Sequence, residues 1–153
     1  MRVYQFRHFG LINQARIDSA TKWELKHLTS LELNYKKALY FNHFYCQIEP
    51  LLNKKWSYLL DLNLNLLNLL KEHLGIKTQI ILSSSLLKKL PKDASPESRL
   101  IEIYEKVGED TLYGGTASQN YIDANIFERA YINLIYQQYC HPVYNQLFGS
   151  FIT

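Results

Sequence analysis

Cysteine is scarce in this sequence, where Cys46 and Cys140 are the only two. They form no metal-finger spacing and no disulfide framework, so a reducing compartment fits. Long apolar runs are missing too. None could cross a bilayer, residues 1–10 lack the apolar core of a signal peptide, and a cytoplasmic protein with no membrane span is expected. Strong charge of one sign is also absent. The 17 basic residues are spread among 14 acidic ones for a net charge of +3, which is no nucleic-acid footprint, so no nucleic-acid partner is expected. There is no tandem repeat and no glycine-rich phosphate-loop spacing. No acid–base carboxylate pair stands out either, because Asp110, Asp123 and Glu128 read as turn or helix-surface charges. His27, His43 and Cys46 fall short of a recognisable ligand set, so no metal is expected, and nothing names a cofactor.

What is present is the material of an ordinary globular domain. Hydrophobic residues make up 47% and charged residues 20%, which excludes a disordered chain. At 153 residues, positions 1–153 are expected to form one domain with one core. The twelve tyrosines and seven phenylalanines fall mostly at core spacing on predicted elements, so they read as packing residues before base-stacking ones.

The fold class expected is α/β, with a helical part over 18–75 and a strand–helix–strand–helix–strand part over 76–146. Residues 11–17 suit a strand. Asp18, Ser19 or Thr21 can start a helix through Trp23, Leu28, Leu31, Tyr35 and Leu39, with Lys22, Lys26, Lys36 and Lys37 on its wet face. A second helix over 41–48 should stop near Pro50. Residues 59–74 hold nine leucines, and although Leu62 to Leu66 alternate as in a strand, the length and Gly75 decide for helix. Residues 83–98, with Pro91 and Pro96, read as the longest loop.

The informative stretch is 78–146. Three short apolar runs, 78–82, 111–113 and 132–136, each end in something polar: Ser83-Ser84-Ser85, Gly114-Gly115, and Gln137 to Pro142. Between the first two lies a helix with Ser95 as cap, Pro96 in its first turn, Leu100, Ile103, Tyr104 and Val107 at helical spacing, and Gly108 as terminator. Between the second and third, Ser118 can cap a helix carrying Tyr121, Ile122, Ile126 and Phe127, with Asp123 to Asn125 as a breaker. Two crossovers of this kind predict a small, mainly parallel sheet with the three polar tips on one edge, where ligands of open sheets bind.

At that edge Ser83 and Ser84 offer hydroxyls and N–H groups for a phosphate or carboxylate, though serines are also good turn formers. Gly114 and Gly115 let the backbone approach a ligand or simply make a tight turn. His141 can serve as acid, base or ligand near neutral pH, or can hold the Pro142 turn. Tyr121, Tyr139, Tyr144 and Gln146 complete the candidate ligand set around it. A three-stranded sheet should also leave an exposed edge through which the chain self-associates.

Several blocks in sequence resemble the WbqC-like family of bacterial proteins. They are Trp23, His27-Leu28, Glu32, Asn34 to Ala38 and Tyr40-Phe41; then Leu74 to Thr78, Ser83-Ser84 and Ser98-Arg99-Leu100; then Tyr113, Gly115, Ala117, Tyr121 and Phe127; and last Tyr139, His141 to Tyr144, Gln146 and Phe151. No one motif is diagnostic; the ordered series from about Trp23 onward is. The resemblance implies a cytoplasmic protein of O-antigen or other surface-polysaccharide biosynthesis. Its implied activity is transfer of an acyl, aminoacyl (glycyl) or glycosyl group to or from a small-molecule or carrier-linked sugar. It carries over no catalytic residue. Relative to the family, residues 1–17 lack the usual Gln-Pro and Asn-Arg-Asn segment and the chain is expected to be shortened at both ends. A non-catalytic binding module or truncated remnant is therefore the alternative to a transferase.

Overall fold

The computed structural model describes residues 3–4, 11–87 and 94–149. The chain divides into two units: Met1–Thr78 with Tyr144–Ile152, and Gln79–Val143 together with Thr153.

The first unit is helical, with α1 (Trp23–Tyr35), α2 (Phe41–Asn53) and α3 (Leu59–His73). Ile17, Trp23, Leu28, Ile48, Leu52 and Leu62 are buried together, but the stripes read from the sequence hold only in part: Tyr35 is exposed, Leu39 lies beyond the end of α1, and α3 turns Leu59, Leu62, Leu66 and Leu69 to the core while Leu67, Leu70 and Leu74 are exposed. Asp18 makes the turn before α1, its Oδ1 accepting from the Ala20 amide at 2.8 Å while the Thr21 hydroxyl donates to the Asp18 carbonyl at 3.1 Å. α3 ends as expected, with Gly75 at φ 66 and the Ile76 amide donating to the Lys71 carbonyl at 2.8 Å.

Two further expectations fail here. α2 runs through Pro50 to Asn53 because Leu52 is buried and the Trp56 indole donates to the Leu51 carbonyl at 2.9 Å, packing that outweighs the lost backbone donor. The strand expected over 11–17 shrinks to β2 (Arg16–Ile17), preceded by a 3-10 turn at Ile12–Gln14. β2 pairs antiparallel with β1 (Val3–Tyr4), Val3 opposite Ile17, a pairing of two-residue strands too short to read from periodicity.

The Tyr45 hydroxyl donates to Glu32 Oε1 at 2.7 Å, tying α2 to α1. This bond, with some desolvation and the charges of Glu32 and Glu49, pushes the phenol up to about 12. A folded pKa above the unfolded value means the contribution is complete below about pH 10 and disappears as pH rises toward 12. Tyr45→Phe should therefore melt below the wild type at pH 8, and the gap between them should close as pH rises through that window.

The second unit holds α4 (Ser83–Leu86), α5 (Pro96–Val107), β3 (Thr111–Gly114), α6 (Ala124–Arg129) and β4 (Asn133–Tyr136). α5 is the element most fully written in the sequence. Ser95 Oγ accepts from the Ser98 amide at 3.1 Å, Pro96 sits in the first turn, and Gly108 closes the helix at φ 75. β3 and β4 are parallel, Leu112 opposite Leu134 and Gly114 opposite Tyr136, with α6 in the crossover. Phe127, Leu112 and Ile132 form the buried centre, flanked by Leu100, Ile101 and Tyr104.

The α/β class is thus observed, but with a two-stranded parallel sheet. Residues 78–82 form no strand and pair with no described residue, which removes the first of the three expected strands. Strand propensity is realised only against a partner edge. Beside β3, Tyr104 of α5 packs against the cluster of Leu112, Phe127 and Ile132. Burial raises the Tyr104 phenol, the Tyr113 backbone opposes that shift, and the charge of Glu109 adds to it. The helix expected to start at Ser118 is also displaced. A 3-10 turn occupies Thr116–Asn120, and α6 starts at Asp123, whose Oδ1 accepts from the Asn125 amide at 3.0 Å. The residue read as a breaker is the cap. Of the expected 83–98 loop, 88–93 lie outside the described residues, and its first residues form the short α4.

Candidate functional site

The carboxyl ends of β3 and β4 are closed by a small polar turn. The Gln137 amide donates to the Gly114 carbonyl at 2.8 Å, and the Thr116 hydroxyl donates to the Gln137 carbonyl at 2.7 Å. Ser118 is buried, and its hydroxyl donates to the Gly115 carbonyl at 2.6 Å while its amide donates to the same oxygen at 2.9 Å. A Cβ on Gly114 would stand 2.7 Å from Ser118 Oγ, so a larger residue at that strand end must displace the Ser118 hydroxyl. Gly115 carries no such demand: a Cβ there meets nothing within 4 Å, and its backbone is extended.

The expected site residues are distributed unequally around this turn. Gly114 and Gly115 are in it. Tyr139 and His141 follow β4 by a few residues, both exposed, with ring centroids 4.8 Å apart and an interplanar angle of 78°, an edge-to-face pair. Tyr121 is exposed directly after the 3-10 turn. Ser83 and Ser84 are exposed in the first turn of α4, with no strand before them. The parallel pairing that would have carried them to the Gly114 edge is therefore missing, and the expectation that the three tips share one sheet edge fails at the first tip. Tyr144 and Gln146 are exposed and belong to the first unit.

Sequence reasoning missed Thr116 and misread Ser118. The available signal was a Gly-Gly pair followed by Thr-Ala-Ser, hydroxyls spaced to bond the backbone of the turn they sit in. This end presents exposed phenols and an imidazole, with little charge.

Two open depressions lie elsewhere. One of about 370 Å³ at the end of α3 is lined by Asn68, Lys71, Glu72, Gly75, Ile76 and Lys77. Its form follows from the helix terminus, where Lys71 Nζ bonds the Thr78 carbonyl. The other, about 400 Å³, is lined by Ala94, Pro96, Arg99 and Leu100 at the start of α5. Neither contains an expected site residue. Among the described residues, no group of three or more His, Cys, Asp or Glu is placed to hold a metal ion. His43 instead faces the ring of His73 across α2 and α3, and Gln47 Nε2 donates to His73 Nε2 at 3.2 Å. No helix among the described residues is long and apolar enough to cross a membrane.

The model of the WbqC-like protein family matches residues 3–153. The match begins well ahead of Trp23, so it takes in the opening segment that the resemblance alone left out. No curated protein and no solved structure matches the chain.

Proposed function

The chain belongs to the WbqC-like protein family, and from that premise we propose that it is a cytoplasmic transferase of bacterial O-antigen or surface-polysaccharide assembly. The group moved is acyl, aminoacyl (glycyl) or glycosyl, and the acceptor or donor is a small-molecule or carrier-linked sugar. The observation that carries the reading is the edge-to-face pair of Tyr139 and His141 beside the closed Gly114 turn. In the reaction, His141 takes the proton from the acceptor hydroxyl or amine as its oxygen or nitrogen bonds to the donor's carbonyl or anomeric carbon. The bond to the leaving group breaks, and the proton held on the imidazole is available to it. Gly115, where a side chain would meet nothing within 4 Å, lets a ligand approach the backbone, and Tyr121 and Tyr139 orient it. Residues 1–153 act as one domain in this reading.

Incubation with nucleotide-linked and carrier-linked sugars and acyl or aminoacyl donors, followed by mass spectrometry of the acceptor, tests it. Transfer is expected in the wild type. For His141→Ala and His141→Gln, a fall of about 10²–10⁴-fold in rate with unchanged melting is expected. A melting temperature lowered in His141→Ala alone, with activity kept by His141→Gln, would instead make the ring a support for the Pro142 turn. The exposure of Tyr121, Tyr139 and His141 favours a second reading, a non-catalytic binding module, and binding without turnover would select it.

A further inference from the structure

Among the described residues the parallel pair has two free sides, and they differ. The Asn133 amide donates to the Asp110 carbonyl at 2.7 Å and the Gln137 amide to the Gly114 carbonyl at 2.8 Å. Hydrogen bonding alternates along a parallel ladder, so Asp110, Leu112 and Gly114 bond toward β4 while Thr111 and Tyr113 turn their backbone groups away. On β4 the same alternation turns Leu134 and Tyr136 outward. The outer side of β3 is guarded, because Glu109 and Asp110 precede the strand. The outer side of β4 is not. The outward groups of Leu134 and Tyr136 have no hydrogen-bond partner among the described residues, and residues 132–140 contain no charge and no proline. Natural sheet edges are normally protected by such residues or by a covering element.

We propose that the outer edge of β4 is the surface through which two copies of this chain pair, strand to strand and antiparallel, about a two-fold axis. A two-fold contact must be self-complementary, and this edge is: each copy offers the same unpaired donors and acceptors and no charge to repel its twin. The Ile132 amide is already bonded to the Phe127 carbonyl at 2.9 Å, so the register that uses only free groups sets Leu134 opposite Tyr136 of the second copy, making four hydrogen bonds. Ile135 then faces its own counterpart across the axis. It is 40% exposed and lies on the outer face directly beside Tyr113, 63% exposed, so pairing brings two apolar patches into one continuous four-stranded sheet. Parallel sheets usually have both faces covered, and here the outer face of each pair carries these residues bare. The proposal is independent of the transferase reading.

Light scattering on the whole chain at about 1–100 μM should show a dimer, the concentration range over which a modest interface associates. Ile135→Lys puts like charges together at the axis without touching the bonds to β3, and dissociation should then become easier by about tenfold or more, with the far-ultraviolet dichroism unchanged. In a Cys46→Ser, Cys140→Ser background, Ile135→Cys should oxidise to a disulfide-linked dimer. The non-hydrogen-bonded pair places Cα atoms about 4.5 Å apart, inside disulfide range. Asn133→Cys should not, since it lies two positions off the axis. A monomer throughout that concentration range, unaltered dimerisation in Ile135→Lys, or equal cross-linking from positions 133 and 135 would overturn the proposal.

Discussion

Phe127→Ala should lower the stability of the second unit by about 3–5 kcal/mol, more than any other single substitution considered. Phe127 is 0% exposed and stands at the centre of a small core with Leu112 and Ile132. Truncation removes the transfer free energy of the ring and leaves a cavity whose walls are the two paired strands and α5, which cannot all close on it. An ordinary domain has about 5–15 kcal/mol in total, so the loss is a large fraction of what holds the unit. Urea titration followed by far-ultraviolet dichroism reads it. Phe127→Leu, which keeps much of the volume, should lose clearly less, and a loss below about 1 kcal/mol in the alanine variant would mean the core is held elsewhere.

Gly114→Ala carries the second large effect, and its cause is local. The added Cβ would lie 2.7 Å from Ser118 Oγ, so the hydroxyl must leave the Gly115 carbonyl it now bonds at 2.6 Å. Overpacking and the lost bond together should cost about 1–3 kcal/mol. Ser118→Ala alone removes the bond and should cost about 1 kcal/mol. Once the hydroxyl is gone the added methyl has room, so the double variant should be more stable than the sum of the singles by about 1 kcal/mol or more. Simple additivity would show that the clash is relieved by backbone movement instead.

The elements that could be read from the sequence are those whose ends are written in it. α5 has its cap, its proline and its terminating glycine, and it begins and ends where those residues place it. α3 ends at Gly75 in the same way. The failures share a different character, because each depends on something distant. Residues 78–82 have the composition of a strand but pair with no edge among the described residues. Pro50 stays inside α2 because Leu52 and Trp56 anchor the turn that follows. Of the site, the Gly114 turn and the strand preceding His141 were legible from alternation and punctuation. The pairing of the Tyr139 and His141 rings and the fit of Ser118 against Gly114 were not, being matters of side-chain geometry.

Amide and histidine-ring chemical shifts of the ¹⁵N-labelled protein, titrated with a nucleotide-linked sugar and a carrier-lipid sugar phosphate, test the central claim most directly. The account predicts saturable shifts concentrated at Gly114, Gly115, Thr116, Gln137, Tyr139 and the His141 ring, weakened in His141→Ala. Shifts confined to the α3 terminus around Lys71, Gly75 and Lys77, with the Gly114 turn and His141 unmoved, would contradict it.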